Sequence, residues 1–218
     1  MEDLYPRLLA AGLILLIAFP VHEFAHALAA YRLGDGTAKL FGRLTLNPIA
    51  HFDPVGGVML LLTSLVGVGI GWAKPTPVNP ANLQGGRRAD AVVAFAGPAS
   101  NLVLAALGAI PLRLLIGARA DVPYIIYEAL VYFILINVAL MLFNLLPIPP
   151  LDGSKVLFAF MNPQTVWRYR PTLEQYGILI LLAVAFLPIG PGGRSIFSSV
   201  FNFIGIPLVN LLVGTPVF

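Results

Sequence analysis

One pentapeptide constrains this chain more than any other feature: His22-Glu23-Phe24-Ala25-His26, inside a helix-length apolar run over residues 8–33. Residues four apart share one face of a helix, so His22 and His26 can direct two imidazoles at one metal ion. Glu23 lies one position further round and can reach a water molecule on that ion. Each charge inside lipid costs about 2.5–3.5 kcal/mol, so the cluster predicts a functional site, and its chemistry is that of a zinc hydrolase.

The composition predicts a membrane protein rather than a soluble one. The 218 residues are 58% hydrophobic and 11% charged, whereas soluble proteins carry about 25% charged residues. The net charge of +3 is explained by basic loops facing anionic lipid, so we expect the bilayer and not nucleic acid as partner. The absence of cysteine excludes disulfides, thiolate ligands and a cysteine nucleophile.

The apolar pattern predicts an all-α polytopic membrane protein, with about five transmembrane helices and a glycine-rich re-entrant segment. The polar gaps are too short for a soluble domain, so we expect one membrane domain over residues 1–218. Its core is predicted at about 8–160 and its C-terminal helices at about 172–213. The predicted crossings are residues 8–33, 89–116, 124–146, 172–187 and 196–213, and the re-entrant segment is residues 55–72.

A third metal ligand is predicted at Asp152, which follows three prolines among residues 147–150. The prolines end the preceding helix and Gly153 allows a sharp turn, so Asp152 can lie on irregular backbone at membrane depth. A His-His-Asp set leaves one coordination position open, as catalytic zinc requires. The alternative is an ordinary N-cap of a helix over residues 154–160. Spacing alone leaves the two interpretations even.

Three further polar residues are candidates for contacting a substrate or a developing oxyanion. Asn101 closes the sequence Gly97-Pro98-Ala99-Ser100-Asn101, Asn144 lies near the end of the segment 124–146, and His51 precedes the re-entrant segment. Each asparagine can equally bond between helices, and local bonding is the stronger alternative for His51.

Three sequences in this order, HEFAH, GPASN and NLLPIPPLDG, resemble the site-2 protease family of intramembrane zinc metalloproteases. The resemblance covers residues from about 20 to 160. It implies that His22, His26 and Asp152 bind one Zn²⁺, that Glu23 is the catalytic base, and that a transmembrane protein substrate is cleaved within the bilayer. Residues 47–57 and 72–75 resemble a compact subgroup, without inserted peptide-binding or nucleotide-binding domains.

One metal site fixes the topology. His26 and Asp152 must share a side of the membrane, and the segments 89–116 and 124–146 are antiparallel, so residues 34–90 begin and end on that side. The segment 55–72 must therefore fold back rather than cross. Residues 72–78, which contain Pro75 and Pro77, are the candidate for a short membrane-embedded β-strand that pairs with an unwound substrate.

This topology places nine basic residues on the active-site side and four on the other. By the positive-inside rule, the active-site end faces the cytoplasm, and a cell-membrane location is expected. The active-site group is Arg32, Lys39, Arg43, Lys74, Arg87, Arg88, Lys155, Arg168 and Arg170, and the opposite group is Arg7, Arg113, Arg119 and Arg194.

The alternative function is a metal-binding membrane protein or transporter that uses the same ligands without hydrolysis. Glu23 distinguishes the two, because a protease needs a base beside the metal and a carrier does not.

Overall fold

The computed structural model describes residues 4–65 and 71–216, and within these ranges the regular structure is entirely helical. A π-helical turn, Ile14–Ala18, joins the first two helices into one long rod. The α-helices are α1 (Leu4–Leu13), α2 (Phe19–Arg32), α3 (Thr37–Leu40), α4 (Pro48–His51), α5 (Pro54–Leu65), α6 (Gly86–Gly117), α7 (Tyr124–Asn144), α8 (Asp152–Phe160), α9 (Pro163–Phe186), α10 (Ile196–Val200) and α11 (Ile206–Val213).

The predicted all-α polytopic class is confirmed. Among the described residues, four helical stretches are long and apolar enough to cross a membrane: Leu8–Arg32, Gly86–Gly117, Tyr124–Asn144 and Ile196–Val213. The last of these stretches contains α10, a second π-helical turn and α11. The expectation was about five crossings, and the difference lies in the segment 172–187.

The direction of the last span explains that difference. The Phe197 ring at its start lies 5.3 Å from the Phe143 ring, centroid to centroid, at the Asp152 end of α7. At its other end, the Leu211 carbonyl accepts a hydrogen bond of 2.6 Å from Arg113, near the end of α6. Ile196–Val213 therefore starts on the active-site side and ends on the opposite side.

Residues 163–195 consequently begin and end on the active-site side, so α9 is not a complete crossing. The first half of α9 carries Arg168, Arg170 and Glu174, and Gly177 lies so close to the Pro149 carbonyl that a Cβ there would be 2.1 Å from its oxygen. The same reasoning corrects the position of Arg194. It precedes α10 on the active-site side, which changes the basic-residue split from nine against four to ten against three.

The predicted fold-back around α5 is supported at its base. The Lys74 amide donates a 2.9 Å hydrogen bond to the His51 carbonyl, and a Cβ on Gly71 would lie 2.4 Å from the Leu60 Cβ. The chain that enters at α5 has therefore returned to the same helix by residue 71. The turn itself, residues 66–70, lies outside the described residues.

The β-strand expected over residues 72–78 is not formed in the part of the chain that the structure describes. These residues are extended but without regular structure. Pro75 and Pro77 have no amide proton to give to a neighbouring strand. The Thr76 amide between them donates to a Glu23 carboxylate oxygen at 2.7 Å instead. The segment is therefore anchored to α2 and not to a sheet.

A buried carboxylate, Asp35, ties the end of α2 to this extended segment. Its side chain is 0% exposed. It accepts hydrogen bonds from Thr37, from the Asn79 amide at 2.7 Å and from the Asn82 side chain at 3.0 Å. Burial raises the pKa of Asp35, but these hydrogen bonds lower it by more, so the pKa lies below its ordinary value. The carboxylate thereby helps to hold residues 71–79 beside the pentapeptide.

Candidate metal centre

The two histidines of α2 share one buried face, as their spacing predicts. His22 is 7% and His26 is 8% exposed, and their Nε2 atoms lie 3.0 Å apart. Each ring is held by its other nitrogen, since His22 Nδ1 lies 2.7 Å from Asn101 Oδ1 and His26 Nδ1 lies 2.7 Å from the Val93 carbonyl. Both partners belong to α6, so the contact of α2 with α6 sets the orientation of both imidazoles.

The Asp152 carboxylate faces the same two nitrogen atoms. Its Oδ2 lies 3.3 Å from His22 Nε2 and 3.1 Å from His26 Nε2. Leu151, not Asp152, occupies the N-cap position of α8 and makes no side-chain capping bond. The capping alternative for Asp152 therefore does not describe its geometry, and the carboxylate is directed at the histidines.

The close approach of Gly153 to the end of α7 places Asp152 beside the two histidines. A Cβ on Gly153 would lie 2.2 Å from the Leu145 carbonyl oxygen and 2.5 Å from that of Leu146. Only glycine leaves room for the start of α8 to fold against the end of α7 in this way.

The three converging atoms of His22, His26 and Asp152 have the spacing of zinc ligands. Zinc bonds of about 2.0–2.1 Å place neighbouring atoms of a tetrahedron about 3.3 Å apart, and the observed separations are 3.0, 3.1 and 3.3 Å. The Val93 carbonyl can only accept, so His26 carries a proton on Nδ1, and its neutral form directs a bare lone pair from Nε2. A cation between these lone pairs relieves their mutual repulsion. His22, His26 and Asp152 thus form a group able to hold a metal ion.

Gly97 on α6 completes the surroundings of this group. A Cβ built on Gly97 would lie 2.4 Å from His26 Nε2 and 2.6 Å from His22 Nε2. A side chain there would occupy the space onto which the two nitrogens converge. The glycine of GPASN therefore keeps the space beside the two nitrogens open, beyond its general use in close helix contact.

The metal group opens into a pocket of about 400 Å³. Glu23 lies on the pocket wall beside the histidines, and one of its carboxylate oxygens accepts a hydrogen bond of 2.7 Å from the Thr76 amide. The Thr76 hydroxyl also donates to the Glu23 carbonyl at 3.0 Å. Asn144 and Lys155 line the same pocket. The structure thus brings together His22, Glu23, His26, Asp152 and Asn144.

Two other predicted residues lie outside that lining. Asn101 is 0% exposed and sits behind His22, where its Oδ1 faces the ring. His51 is 1% exposed and donates from Nε2 to the Thr45 carbonyl at 2.8 Å. The structure therefore brings neither side chain to the pocket surface.

One residue of the site was missed from the sequence. Asn137 on α7 is 0% exposed, and its Oδ1 lies 3.3 Å from Asn101 Nδ2. No surrounding pattern marks it. The available signal was physical, because a lone amide within an apolar span needs a buried partner.

Comparisons with known proteins give the family of this chain. Residues 115–188 match the model of peptidase family M50. YwhC of Bacillus subtilis, assigned as a zinc metalloprotease, is 38% identical over 94% of this chain and 97% of its own length. Rip2 of Mycolicibacterium smegmatis, assigned likewise, is 35% identical over 79% of this chain and 65% of its own. Rip3 of Mycobacterium tuberculosis is 30% identical over 85% of this chain and 41% of its own. No solved structure gives a significant match.

The fold and the site together define a multi-pass membrane metalloprotease with zinc as its cofactor. The chain belongs to peptidase family M50, so the resemblance to the site-2 proteases is confirmed.

The space at Gly97 gives a direct test of the metal centre. We expect Gly97→Ala to abolish stoichiometric zinc binding, because the added methyl group would lie within 2.6 Å of both Nε2 atoms. The measurement is zinc content of purified protein by mass spectrometry. The matched control is Gly117→Ala in the same helix, where a Cβ meets nothing within 4 Å. Full zinc occupancy in Gly97→Ala would contradict the claim that zinc binding needs the open space at Gly97.

Proposed function

We propose that this protein hydrolyses a peptide bond within or near a transmembrane segment of a membrane-protein substrate. The observation that carries the proposal is the convergence of His22, His26, Asp152 and Glu23 in one pocket between membrane-spanning helices. Residues from α2 and α7 contribute to its walls, so the scissile peptide bond must reach the site from the bilayer or from the edge of the bilayer. In this proposal the site serves the regulated cleavage of membrane proteins.

The three ligands have distinct tasks in this mechanism. His22 and His26 would contribute neutral nitrogens and Asp152 an anionic oxygen to the zinc ion. When bound, zinc supplies a Lewis acid for the scissile carbonyl and lowers the pKa of a water molecule towards about 7.

Glu23 is the general base in this proposal. The Thr76 amide holds one carboxylate oxygen at 2.7 Å, which fixes the carboxylate plane and leaves the other oxygen to take a proton. Glu23 then delivers that proton to the departing amine. Asn144 is proposed to hold the substrate backbone or the oxyanion. Its amide lines the pocket and donates within α7, to the Leu140 carbonyl at 2.9 Å.

An apolar cavity of about 380 Å³ beside the pocket supports an apolar substrate. The two spaces share Phe19, Gly71, Leu140 and Phe143 as walls. The far wall of the cavity comes from the last turns of α9, including Leu182 and Phe186. The residues described as lining this cavity are all uncharged, so it can accept apolar side chains of a substrate beside the catalytic pocket.

We also propose that the active-site end faces the cytoplasm in the cell membrane. The corrected split of ten basic residues against three strengthens the asymmetry on which the positive-inside rule depends.

Glu23→Gln tests the protease function. We expect it to retain one zinc per chain, because Glu23 is not in the ligand group, and to lose cleavage by about 10²–10⁴-fold, the usual contribution of a general base. The measurement compares membrane-protein fragments in cells that express the wild type or the variant, with zinc content determined on the purified proteins.

Glu174→Gln is the matched control, since Glu174 pairs with Arg170 on the exposed half of α9, outside the lining of the catalytic pocket. It should leave the fragment pattern unchanged. Zinc-loaded wild-type protein whose cells show no Glu23-dependent fragment would refute proteolysis and leave the metal-carrier alternative.

The orientation can be tested because the chain has no cysteine. Single cysteines at Gln84 and Ala120, both exposed, lie beyond the two ends of α6 and report on which side of the membrane each end lies. We expect an impermeant maleimide to label Ala120→Cys in intact cells and Gln84→Cys only after permeabilisation. The reverse pattern would refute the proposed orientation.

A further inference from the structure

A chain of buried amides runs from α7 through α6 to the first metal-binding histidine. It consists of Asn137, Asn101 and His22, and the two asparagines are 0% exposed. Asn137 Nδ2 lies 2.8 Å from the Phe133 carbonyl, Asn101 Nδ2 lies 3.3 Å from Asn137 Oδ1, and His22 Nδ1 lies 2.7 Å from Asn101 Oδ1.

The direction of every bond in this chain follows from its first member. The Phe133 carbonyl has no proton, so the group that faces it must be the NH₂ of Asn137. Asn137 then presents its oxygen to Asn101, so Asn101 must donate a hydrogen bond from its own NH₂. Asn101 in turn presents its oxygen to His22, and only a protonated Nδ1 satisfies it. A backbone carbonyl of α7 thus specifies the tautomer of a histidine on α2.

That tautomer is the one the metal centre needs. With the proton on Nδ1, His22 Nε2 carries a free lone pair, and it points at Asp152 Oδ2 and His26 Nε2. If Asn101 were turned by half a rotation, its NH₂ would face Nδ1, and the ring would favour a proton on Nε2, at the position of the ion. Asn137 provides the acceptor that opposes this rotation.

We propose that Asn137 is a positioning residue for zinc binding, which acts through Asn101 on His22 and touches neither metal nor substrate. The proposal rests on the proposed ligand set. It distinguishes the two histidines, because His26 obtains the same tautomer directly from the Val93 carbonyl. Only the His22 side depends on side-chain amides that are able to rotate.

The test is the zinc dissociation constant of the purified full chain, measured by competition with a chromophoric chelator at fixed pH. Removing a partner that orients a metal-binding histidine typically weakens metal affinity by 10–100-fold. We expect Asn137→Leu and Asn101→Leu each to weaken zinc binding by about 10-fold or more. We expect the double variant to be no weaker than Asn101→Leu alone, since Asn137 acts only through Asn101.

The matched control is Asn202→Leu. Asn202 also donates to the carbonyl four residues earlier, Ser198, at 2.8 Å, but is exposed and lies outside the amide chain. It should bind zinc as the wild type does. If Asn137→Leu does not fold, Asn137→Thr is used. The threonine hydroxyl keeps a bond to the Phe133 carbonyl, but the side chain has no amide oxygen to face Asn101. It should show the same loss of affinity.

Thermal unfolding of the same samples separates positioning from general support. An Asn137 variant that unfolds at a lower temperature and binds zinc with wild-type affinity would overturn the proposal, as would losses that multiply in the double variant. His22→Ala tests the ligand set independently. If it retains zinc at full affinity, the ligand assignment fails, whereas zinc loss there together with unchanged Asn137→Leu affinity refutes only the amide chain.

Discussion

Three lone-pair atoms held 3.0–3.3 Å apart in an apolar setting are the interaction on which this structure depends. Such atoms repel one another unless a cation lies between them, so the surrounding helices must hold them in place. Gly97 keeps the space beside the two histidine nitrogens open, Gly153 lets the start of α8 approach the end of α7, and two partners on α6 fix the imidazole rings. Each of these devices is a close contact within the helix framework rather than a flexible loop.

The membrane topology follows from the same centre. Because the three side chains able to hold one ion come from α2 and α8, the chain between α2 and α6 begins and ends on one side, and α5 folds back. The structure extends this argument to the C-terminal part, where residues 163–195 begin and end on the active-site side. Ile196–Val213 is the fourth of the described helical stretches that are long and apolar enough to cross a membrane. The anchored segment at Thr76 then forms one wall of the pocket and restrains the Glu23 carboxylate.

The sequence was sufficient to predict the class of fold and the residues that converge, because helical spacing, proline breaks and the cost of charge in lipid are local rules. It could not predict that residues 172–187 fail to cross, since Phe197 and Arg113 find their partners only through tertiary contact. The prediction of a strand at residues 72–78 was wrong because the Thr76 amide donates to the Glu23 carboxylate instead of to another strand. Asn137 was missed because its importance comes from partners that lie 36 residues earlier and on another helix.

The central claim is that His22, His26 and Asp152 together hold one zinc ion. The most direct measurement is the zinc-to-protein ratio of purified Asp152→Ala beside the wild type, by mass spectrometry after removal of loosely bound metal. We expect about one zinc per chain in the wild type and close to none in the variant, since two neutral imidazoles alone lack the anionic third ligand of this catalytic zinc site. A variant that retains one zinc per chain would contradict the account.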